Sequence, residues 1–412
     1  MRKLCVIFCV VPAVLALVMF AFTSCSDDEH DDLYVYNWGE YISDGSEDSL
    51  NVTAEFEKYY EELTGRKMKV HYTTYPSNED MYAKISSGTS NYDVIIPSDY
   101  MIERMISENL LAEIDIEAAC EKFGAECYYD YIGENYRGLF YDPEDKYSVP
   151  YTYGRVGIIY NTTVVDEEDT GDWDLMWNEK YAGRILQFNN SRDGFATAQY
   201  WLGLDVNSTD RADWEQAFDL LLRQKGLVQS YVIDEIYNKM ESGEAAVSAY
   251  YAGDYFTMLD VNEDLGFYYP ERTNLFVDAM CVPAASRNKD IAQLFINFML
   301  SEEIAIANAE YIYYASPNSL VFENEDYIEE MGEEAMEILY PEDFNFAEEL
   351  NKYAYRNLDG ETLEMVNSLW EQLKITGGLP TYVYVTTVVL ATAITASIIV
   401  IVIRRRRRAK WY

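Results

Sequence analysis

Short segments that carry aromatic rings, carboxylates or both recur along this chain of 412 residues, at apparent changes from strand to helix. Aromatic rings attract ammonium groups through cation–π contacts of about 0.5–2 kcal/mol each, and they also pack against methylene groups. Carboxylates add charge-assisted hydrogen bonds to ammonium groups. The combination predicts a pocket for a cation that has an apolar body. The segments are residues 38–41, 97–100, 190–193, 250–251, 276–278 and 313–314.

The elements that must position these segments alternate between strand and helix patterns. Residues 33–36 and 68–72 are predicted strands, and residues 93–97 form a short apolar run typical of a buried parallel strand. A helical spacing of apolar residues covers 52–63, and Gly65 follows as a stop signal. The alternation predicts an α/β fold, in which ligands bind outside the carboxyl ends of the strands.

Composition narrows the classes of function. The length predicts two compact units, and 72 acidic against 31 basic residues give a formal charge of −41. A surface this acidic repels phosphate backbones, which argues against a nucleic-acid partner. The chain has only two histidines, His30 and His71, which argues against histidine-based triads and histidine-rich metal sites. No metal or other cofactor is predicted.

Residues 1–25 predict a lipoprotein signal peptide. Two basic residues open the chain, residues 4–22 are apolar, and small residues precede Cys25, the predicted site of lipidation. Residues 22–25 resemble a lipobox, although Phe22 is less usual there than Leu. The alternative is an N-terminal anchor that is not cleaved.

A second membrane segment is predicted near the C-terminus. Residues 382–403 carry no charge, and as a helix they would span ~33 Å, so we predict a transmembrane helix within residues 379–403. The positive-inside rule places the basic tail, residues 404–412, in the cytoplasm and the acidic middle of the chain outside. A cell-wall sorting signal is the alternative, although the chain lacks the Thr-Gly pair that is cut in such signals.

Cysteine usage fits an exported protein. Cys120 and Cys127 lie close together in the sequence and could pair in an oxidising compartment. Cys281 lies in an apolar strand pattern and is predicted to be a buried thiol.

From Leu33 to about Lys374 the chain resembles the spermidine/putrescine-binding proteins of bacterial ABC importers. The resemblance implies a two-lobed α/β fold of the periplasmic-binding-protein type II, with crossing hinge strands and lobes that close over a ligand. The matching stretches are Tyr36-Asn37-Trp38-Gly39-Glu40-Tyr41, Met81-Tyr82-Ala83-Lys84, Pro97-Ser98-Asp99-Tyr100, Ser148-Val149-Pro150-Tyr151 and Ser316-Pro317-Asn318. Lobe 1 is assigned residues 26–155 and 277–323, and lobe 2 is assigned residues 156–276 and 324–378.

The same resemblance implies the residues of a ligand pocket. Tyr251 and Phe276 stand where tryptophan is usual, and Asn190 stands where a second acid often accompanies Asp193. Three carboxylates remain in the implied pocket, namely Glu40, Asp193 and Asp278. They suit putrescine or spermidine, and the choice between these two polyamines stays open. The implied ligand-binding residues are Trp38, Glu40, Tyr41, Ser98, Tyr100, Asn190, Asp193, Tyr251, Phe276, Asp278 and Tyr314.

The predicted function is that of an extracytoplasmic receptor without enzymatic activity, which captures a polyamine between the lobes and delivers it to an ABC permease. The expected partners are the polyamine, the permease subunits and the membrane, reached through Cys25 and residues 382–403. Two alternatives stay open. One is a binding protein of the same fold for another organic cation or ferric ion, and the other is a surface glycoside hydrolase that uses two carboxylates.

Overall fold

A computed structural model describes residues 30–341 and 344–376 of the chain. The predicted signal peptide with Cys25 lies outside the described residues, and so do the predicted transmembrane segment and the basic tail. Within the described residues, no helix is both long and apolar enough to cross a bilayer.

The described chain divides into two compact units. The first holds the described residues up to Asn190 and those from Leu227 to Asn357, and the second holds Ser191–Gly226 and the described residues from Leu358 onward. The lobe boundaries drawn from the sequence stay a prediction.

Nine strands of the described residues form one mixed sheet, which lies in the first unit. Their order is β2-β1-β3-β9-β4-β7-β5-β6, and β8 pairs with β4 outside this path. The strands are β1 His30–Trp38, β2 Lys67–Tyr75, β3 Val94–Ile95, β4 Ser148–Asn161, β5 Ile185–Phe188, β6 Val228–Val232, β7 Val247–Tyr251, β8 Leu265–Tyr268 and β9 Leu275–Cys281.

Helices follow or precede most of these strands. The α-helices of the described residues are α1 Val52–Thr64, α2 Asn78–Ser86, α3 Asp99–Ser107, α4 Ile116–Phe123, α5 Ser191–Leu202, α6 Arg211–Gln224, α7 Glu235–Glu241, α8 Ala252–Leu259, α9 Lys289–Met299, α10 Glu302–Ile312, α11 Ser319–Phe322, α12 Glu325–Leu339, α13 Phe346–Tyr353 and α14 Gly360–Ile375. Short 3₁₀ helices cover Ser46–Asp48, Tyr129–Tyr131, Glu134–Tyr136, Glu167–Asp169, Trp173–Trp177 and Glu179–Tyr181.

The crossing strands β4 and β9 join the two ends of the sheet, β2-β1-β3 and β7-β5-β6. The first half of β4 pairs with β9 in antiparallel register, from Ser148 opposite Cys281 to Arg155 opposite Leu275. The second half of β4 pairs with β7 and β8, also antiparallel. Every residue of β9 is buried, which confirms the prediction that Cys281 is a buried thiol. A carboxylate at Asp278, inside such a strand, is costly unless it has a partner or a function.

Local signals explain the first helix and its packing. Asn51 accepts a hydrogen bond from the Ala54 amide and caps the start of α1. Gly65 ends the helix in the left-handed conformation, at φ 70°, as the sequence predicted. The buried face of α1 places the Phe56 ring edge-on to Phe295 of α9, with 5.0 Å between ring centroids.

The second unit is helical in its described part. Phe195 of α5 packs against Trp214 of α6 and Trp370 of α14, with centroid separations of 5.4 and 5.9 Å. The Lys225 ammonium donates to the Leu373 and Lys374 carbonyls, and it therefore caps the C-terminal turn of α14 with a positive charge.

Two of the six predicted strand-to-helix switches are wrong. Residues 276–278 lie inside β9, because this strand continues as one of the two crossing strands, and residues 313–314 follow the end of α10. Cys120 is buried and Cys127 is half-buried, and both are thiols in this structure. Burial, with a smaller contribution from Cys127, raises the pKa of the Cys120 thiol to about 12.

Candidate ligand-binding site

Asp278 is the centre of the candidate site. It is 4% exposed, and its Oδ2 accepts a hydrogen bond of 2.7 Å from the Tyr41 hydroxyl. Among the described residues no group completes a hydrogen bond to Oδ1. Burial raises the pKa of this carboxyl to about 6, although the nearby Ser98 and Tyr41 hydroxyls favour the charged form. A buried carboxylate oxygen without a donor is a position that a cationic ligand can satisfy.

The turn after β1 holds Tyr41 in place. The buried Asn37 side chain donates to the Tyr41 carbonyl at 3.2 Å and accepts from the Trp38 amide at 2.8 Å. The Tyr151 hydroxyl donates to the same Tyr41 carbonyl at 3.1 Å. Glu40 adopts a left-handed backbone with φ 49°, which reverses the chain between Trp38 and Tyr41. Sidechain-to-backbone bonds therefore fix the direction of the Tyr41 hydroxyl toward Asp278.

Trp38 and Glu40 lie on the same turn with different exposure. The Trp38 indole donates to the Ile96 carbonyl at 2.9 Å, and its ring contacts Tyr75 with 4.7 Å between centroids. Burial raises the pKa of Tyr75 well above its ordinary value, with a smaller contribution from Asp278, so these rings lie near the buried acid. Glu40 is exposed.

The loop before α3 reaches the same acid. The Pro97 carbonyl accepts from the Ala279 amide at 3.1 Å, and Ser98 lies opposite Asp278 as an isolated bridge pair. The Asn78 amide donates to the Ser98 hydroxyl at 3.0 Å. The Tyr100 hydroxyl donates to Glu79 at 3.0 Å. The structure thus brings Ser98 to Asp278, and the ligand role of Tyr100 stays a prediction.

Aromatic rings surround the acid from several elements. The Tyr314 ring is edge-on to Tyr41, with 5.1 Å between centroids. Phe276 contacts Tyr251 at 5.3 Å and Tyr314 at 6.2 Å. These four predicted residues therefore form one continuous aromatic cluster with Asp278, which Tyr41 binds directly.

Two glycines make room for this cluster. A Cβ at Gly253 would lie 2.2 Å from the Tyr314 ring, and one at Gly154 would lie 2.7 Å from the Phe276 ring. Real Cβ atoms essentially never approach so closely. The close approach of both rings to the neighbouring backbone therefore requires glycine.

A second carboxyl, which the sequence reasoning missed, adjoins the cluster. Asp254 of α8 accepts from the Tyr314 hydroxyl at Oδ2, at 2.6 Å, and from the Tyr237 hydroxyl at Oδ1. Burial raises the pKa of Asp254 to about 6, while both tyrosines favour its charged form. The available signal was a single charged residue within the helix Ala252–Leu259. Asp278 and Asp254 are thus linked through Tyr41 and Tyr314.

Asn190 and Asp193 belong to different units. Asp193 belongs to the second unit, where it is buried in the first turn of α5, and Asn190 follows β5 in the first. The adjacent Arg192 donates to the Val206 carbonyl at 3.2 Å and to Asn207 at 2.9 Å. That Asn190 and Asp193 contribute to the ligand site stays a prediction.

The cluster offers a cation a carboxylate oxygen that lacks a donor, together with aromatic faces for its methylene groups. Within the described ranges, no group of three or more His, Cys, Asp or Glu side chains could hold a metal ion. The fold and the site are those of a protein that binds a small organic solute.

Comparisons with known proteins identify the family within this class. The family model for bacterial extracellular solute-binding proteins matches residues 53–334. The spermidine/putrescine-binding periplasmic protein of Escherichia coli K12 is 30% identical over 293 residues, which cover 71% of this chain and 79% of that protein. The chain therefore belongs to the family of bacterial extracellular solute-binding proteins.

Solved structures agree with this assignment. The substrate-binding protein of a spermidine/putrescine ABC transporter from Streptococcus pneumoniae has a TM-score of 0.65 and 33% identity, covering 84% of this chain and 99% of that one. The Tp0655 lipoprotein of Treponema pallidum has a TM-score of 0.67 and 25% identity, with coverage of 83% and 99%. The predicted α/β, periplasmic-binding-protein-like fold and the family resemblance are confirmed.

Proposed function

We propose that this protein binds a polyamine such as putrescine or spermidine outside the cytoplasm and delivers it to an ABC permease. The observation that carries the proposal is the Asp278 carboxyl, which is buried among aromatic rings with Oδ1 lacking a hydrogen-bond donor. The similarity to spermidine/putrescine-binding proteins supports the same ligand class.

An ammonium group would supply the missing donor. Its hydrogen bond to Oδ1 is charge-assisted, and a nearby positive charge favours the ionised form of Asp278. The rings of Tyr41, Phe276 and Tyr314 would cover the methylene groups, each worth about 0.8 kcal/mol when buried. The preferred solute is therefore a flexible amine rather than an inorganic cation.

Asp254 would bind the second ammonium group of the same ligand. Its carboxyl is joined to the ring cluster by the Tyr314 hydroxyl, so a diamine could contact Asp278 at one end and Asp254 at the other. The family resemblance of the sequence implies Glu40 and Asp193 as further acids, which we propose for a third charge. We therefore propose a diamine as the smallest ligand that satisfies both buried acids.

The electrostatics of the tyrosines argue against ferric ion, which usually takes tyrosinate and anion ligands. Burial raises the pKa of Tyr41 and of Tyr314 well above their ordinary values, with Asp278 and Asp254 contributing respectively. Both phenols are thus held in their neutral, hydrogen-bond-donating form. The proposed function needs binding and release alone, without a covalent step.

Membrane attachment completes the proposal. A lipid on Cys25 would anchor the receptor, and the segment 382–403 would hold it beside the permease, which raises its effective concentration there. The lipoprotein from Treponema pallidum supports lipid anchoring in proteins of this fold.

Calorimetric titration of the full-length protein with putrescine, cadaverine, spermidine and spermine tests the proposal. Butylamine is the matched control, because it has the methylene chain of putrescine but one charge. We expect micromolar or tighter binding of at least one polyamine and much weaker binding of butylamine. No heat with any polyamine near neutral pH would refute the proposed function, and tighter binding of butylamine would refute recognition by paired carboxylates.

A further inference from the structure

The two carboxyls of the site differ in how the protein satisfies them. Asp278 has one tyrosine donor at Oδ2 and an Oδ1 that no described group bonds. Asp254 has a tyrosine donor on each oxygen, Tyr237 at Oδ1 and Tyr314 at Oδ2. Tyr237 lies on α7 and is not among the ring residues that the family resemblance implied.

Several titratable groups face this second carboxyl from the elements around α8. Tyr237 and Tyr314 favour its charged form, and Asp234, just before α7, opposes it. Tyr250 of β7 and Glu40 of the turn after β1 act in turn on Tyr237. At the other side of α8, Glu334 of α12 and Tyr160 of β4 act on Tyr255. These neighbours are acids or phenols, so the charge on Asp254 depends on hydrogen bonds from neutral donors, which are the two tyrosine hydroxyls and the backbone amide of Asp254 itself.

We infer that Tyr237 is a positioning residue for the second ammonium group of the ligand, because its hydroxyl keeps the Asp254 carboxylate charged and fixed in rotation before the ligand arrives. The inference rests on the proposed function, since it concerns the same pocket. It names the residue through which this chain would favour ligands with two charges over ligands with one.

A phenol suits this role better than a lysine or arginine. A cationic partner would neutralise Asp254 and compete with the ligand, whereas a phenol stabilises the carboxylate and leaves its negative charge available. Burial and the adjacent Asp254 raise the pKa of Tyr237 far above its ordinary value. The hydroxyl therefore stays protonated and donates at every pH at which the protein would work.

Loss of the Tyr237 hydroxyl should lower the ionised fraction of Asp254 by an amount that depends on pH. A hydrogen bond to a charged group is worth enough to change its protonation constant by about tenfold or more. Because the pKa of Asp254 is about 6, a tenfold change would lower its ionised fraction at pH 6 from about one half to about one tenth. At pH 8.5 the carboxyl is ionised in either case.

The test compares putrescine binding by full-length Tyr237→Phe and wild-type protein at pH 6 and pH 8.5. We expect about fivefold weaker binding by the variant at pH 6 and a difference below about twofold at pH 8.5. Tyr82→Phe is the matched control, because Tyr82 also donates to a carboxylate, Glu108 at 2.6 Å, on the exposed surface. Tyr82→Phe should leave the affinity for putrescine unchanged at pH 6 and at pH 8.5.

A second background shows whether Tyr237 acts through Asp254. In Asp254→Asn protein, which has no acid to titrate there, Tyr237→Phe should produce no further pH-dependent loss. If Tyr237→Phe fails to fold, 3-fluorotyrosine in place of Tyr237 keeps the shape and strengthens the donor. It should move the midpoint of the pH profile down, opposite to the phenylalanine variant.

The results separate the inference from the proposed function. If wild-type protein binds no polyamine, the proposed function fails and the inference fails with it. If wild-type protein binds putrescine but the substitutions at position 237 leave the pH profile unchanged, or shift it equally in the Asp254→Asn background, only the role of Tyr237 is overturned.

Discussion

Replacing Asp278 with asparagine should stabilise the ligand-free protein while it weakens ligand binding. Burial raises the pKa of this carboxyl from 3.8 to about 6, so the folded protein disfavours the charged form that neutral pH imposes. A change of one in the pKa corresponds to about 1.4 kcal/mol, so an ionised Asp278 carboxylate at neutral pH costs the folded state about 3 kcal/mol. Asparagine removes the charge, and its Oδ1 can still accept from the Tyr41 hydroxyl.

Because burial raises the pKa of Asp278, the stabilisation expected from Asp278→Asn depends on pH. A carboxyl whose pKa is raised on folding favours the folded state at low pH, and this contribution is lost as the pH rises through the folded value. Asp278→Asn should therefore raise the free energy of unfolding at pH 7.5 by up to about 3 kcal/mol, and the gain should disappear between about pH 6 and pH 4. At pH 7.5 the same variant should bind putrescine at least about tenfold more weakly.

Urea unfolding of polyamine-free protein at pH 7.5 and pH 4.5 measures this difference. Asp142→Asn is the matched control, because Asp142 is similarly buried at 3% exposure but its Oδ2 accepts from the Tyr147 and Ser148 amides at 2.8 and 3.0 Å. Asparagine can accept from these two amides with its oxygen only if its NH2 group faces the Lys146 amide, which donates to the other carboxylate oxygen at 3.1 Å, so the control should lose stability by about 1–3 kcal/mol. If Asp278→Asn lost stability at pH 7.5 as Asp142→Asn does, Asp278 would be a structural acid and the reasoning would be refuted.

Three further expectations follow from the site. Tyr41→Phe removes the donor to Asp278 Oδ2, so putrescine binding should weaken by about tenfold near pH 6 and by less at pH 8; an unchanged pH profile in calorimetry would contradict this. Gly253→Ala would place a methyl group 2.2 Å from the Tyr314 ring, so polyamine affinity should fall in protein that circular dichroism shows to be folded, and wild-type affinity would show that the ring can move freely. Deletion of residues 379–412 should leave affinity intact but lower polyamine uptake by cells, whereas unchanged uptake would make this segment dispensable.

Local sequence patterns predicted which helices and strands form better than they predicted how long each one is. The apolar spacing and Gly65 located α1 to within a residue of its observed end, Thr64. The apolar run at 93–97 is a strand over only Val94–Ile95, because the chain turns at Pro97 to reach Asp278 through Ser98. Hydrophobic periodicity reports burial, whereas strand length depends on pairing with distant segments.

The two acids of the site show where sequence reasoning ended. Asp278 was found because the resemblance carried over a known pattern, but its position inside a fully buried strand required the pairing of β9 with β4. Asp254 was missed because its partner Tyr314 lies 60 residues further along the chain. Only the fold places the end of α10 beside α8, so no local spacing could indicate that contact.

A crystal structure of the protein with putrescine tests the central claim most directly. We predict an ammonium nitrogen about 2.8 Å from Asp278 Oδ1, with the methylene chain against the rings of Tyr41, Phe276 and Tyr314. A bound ligand elsewhere, with Asp278 Oδ1 still lacking a donor, would contradict the account.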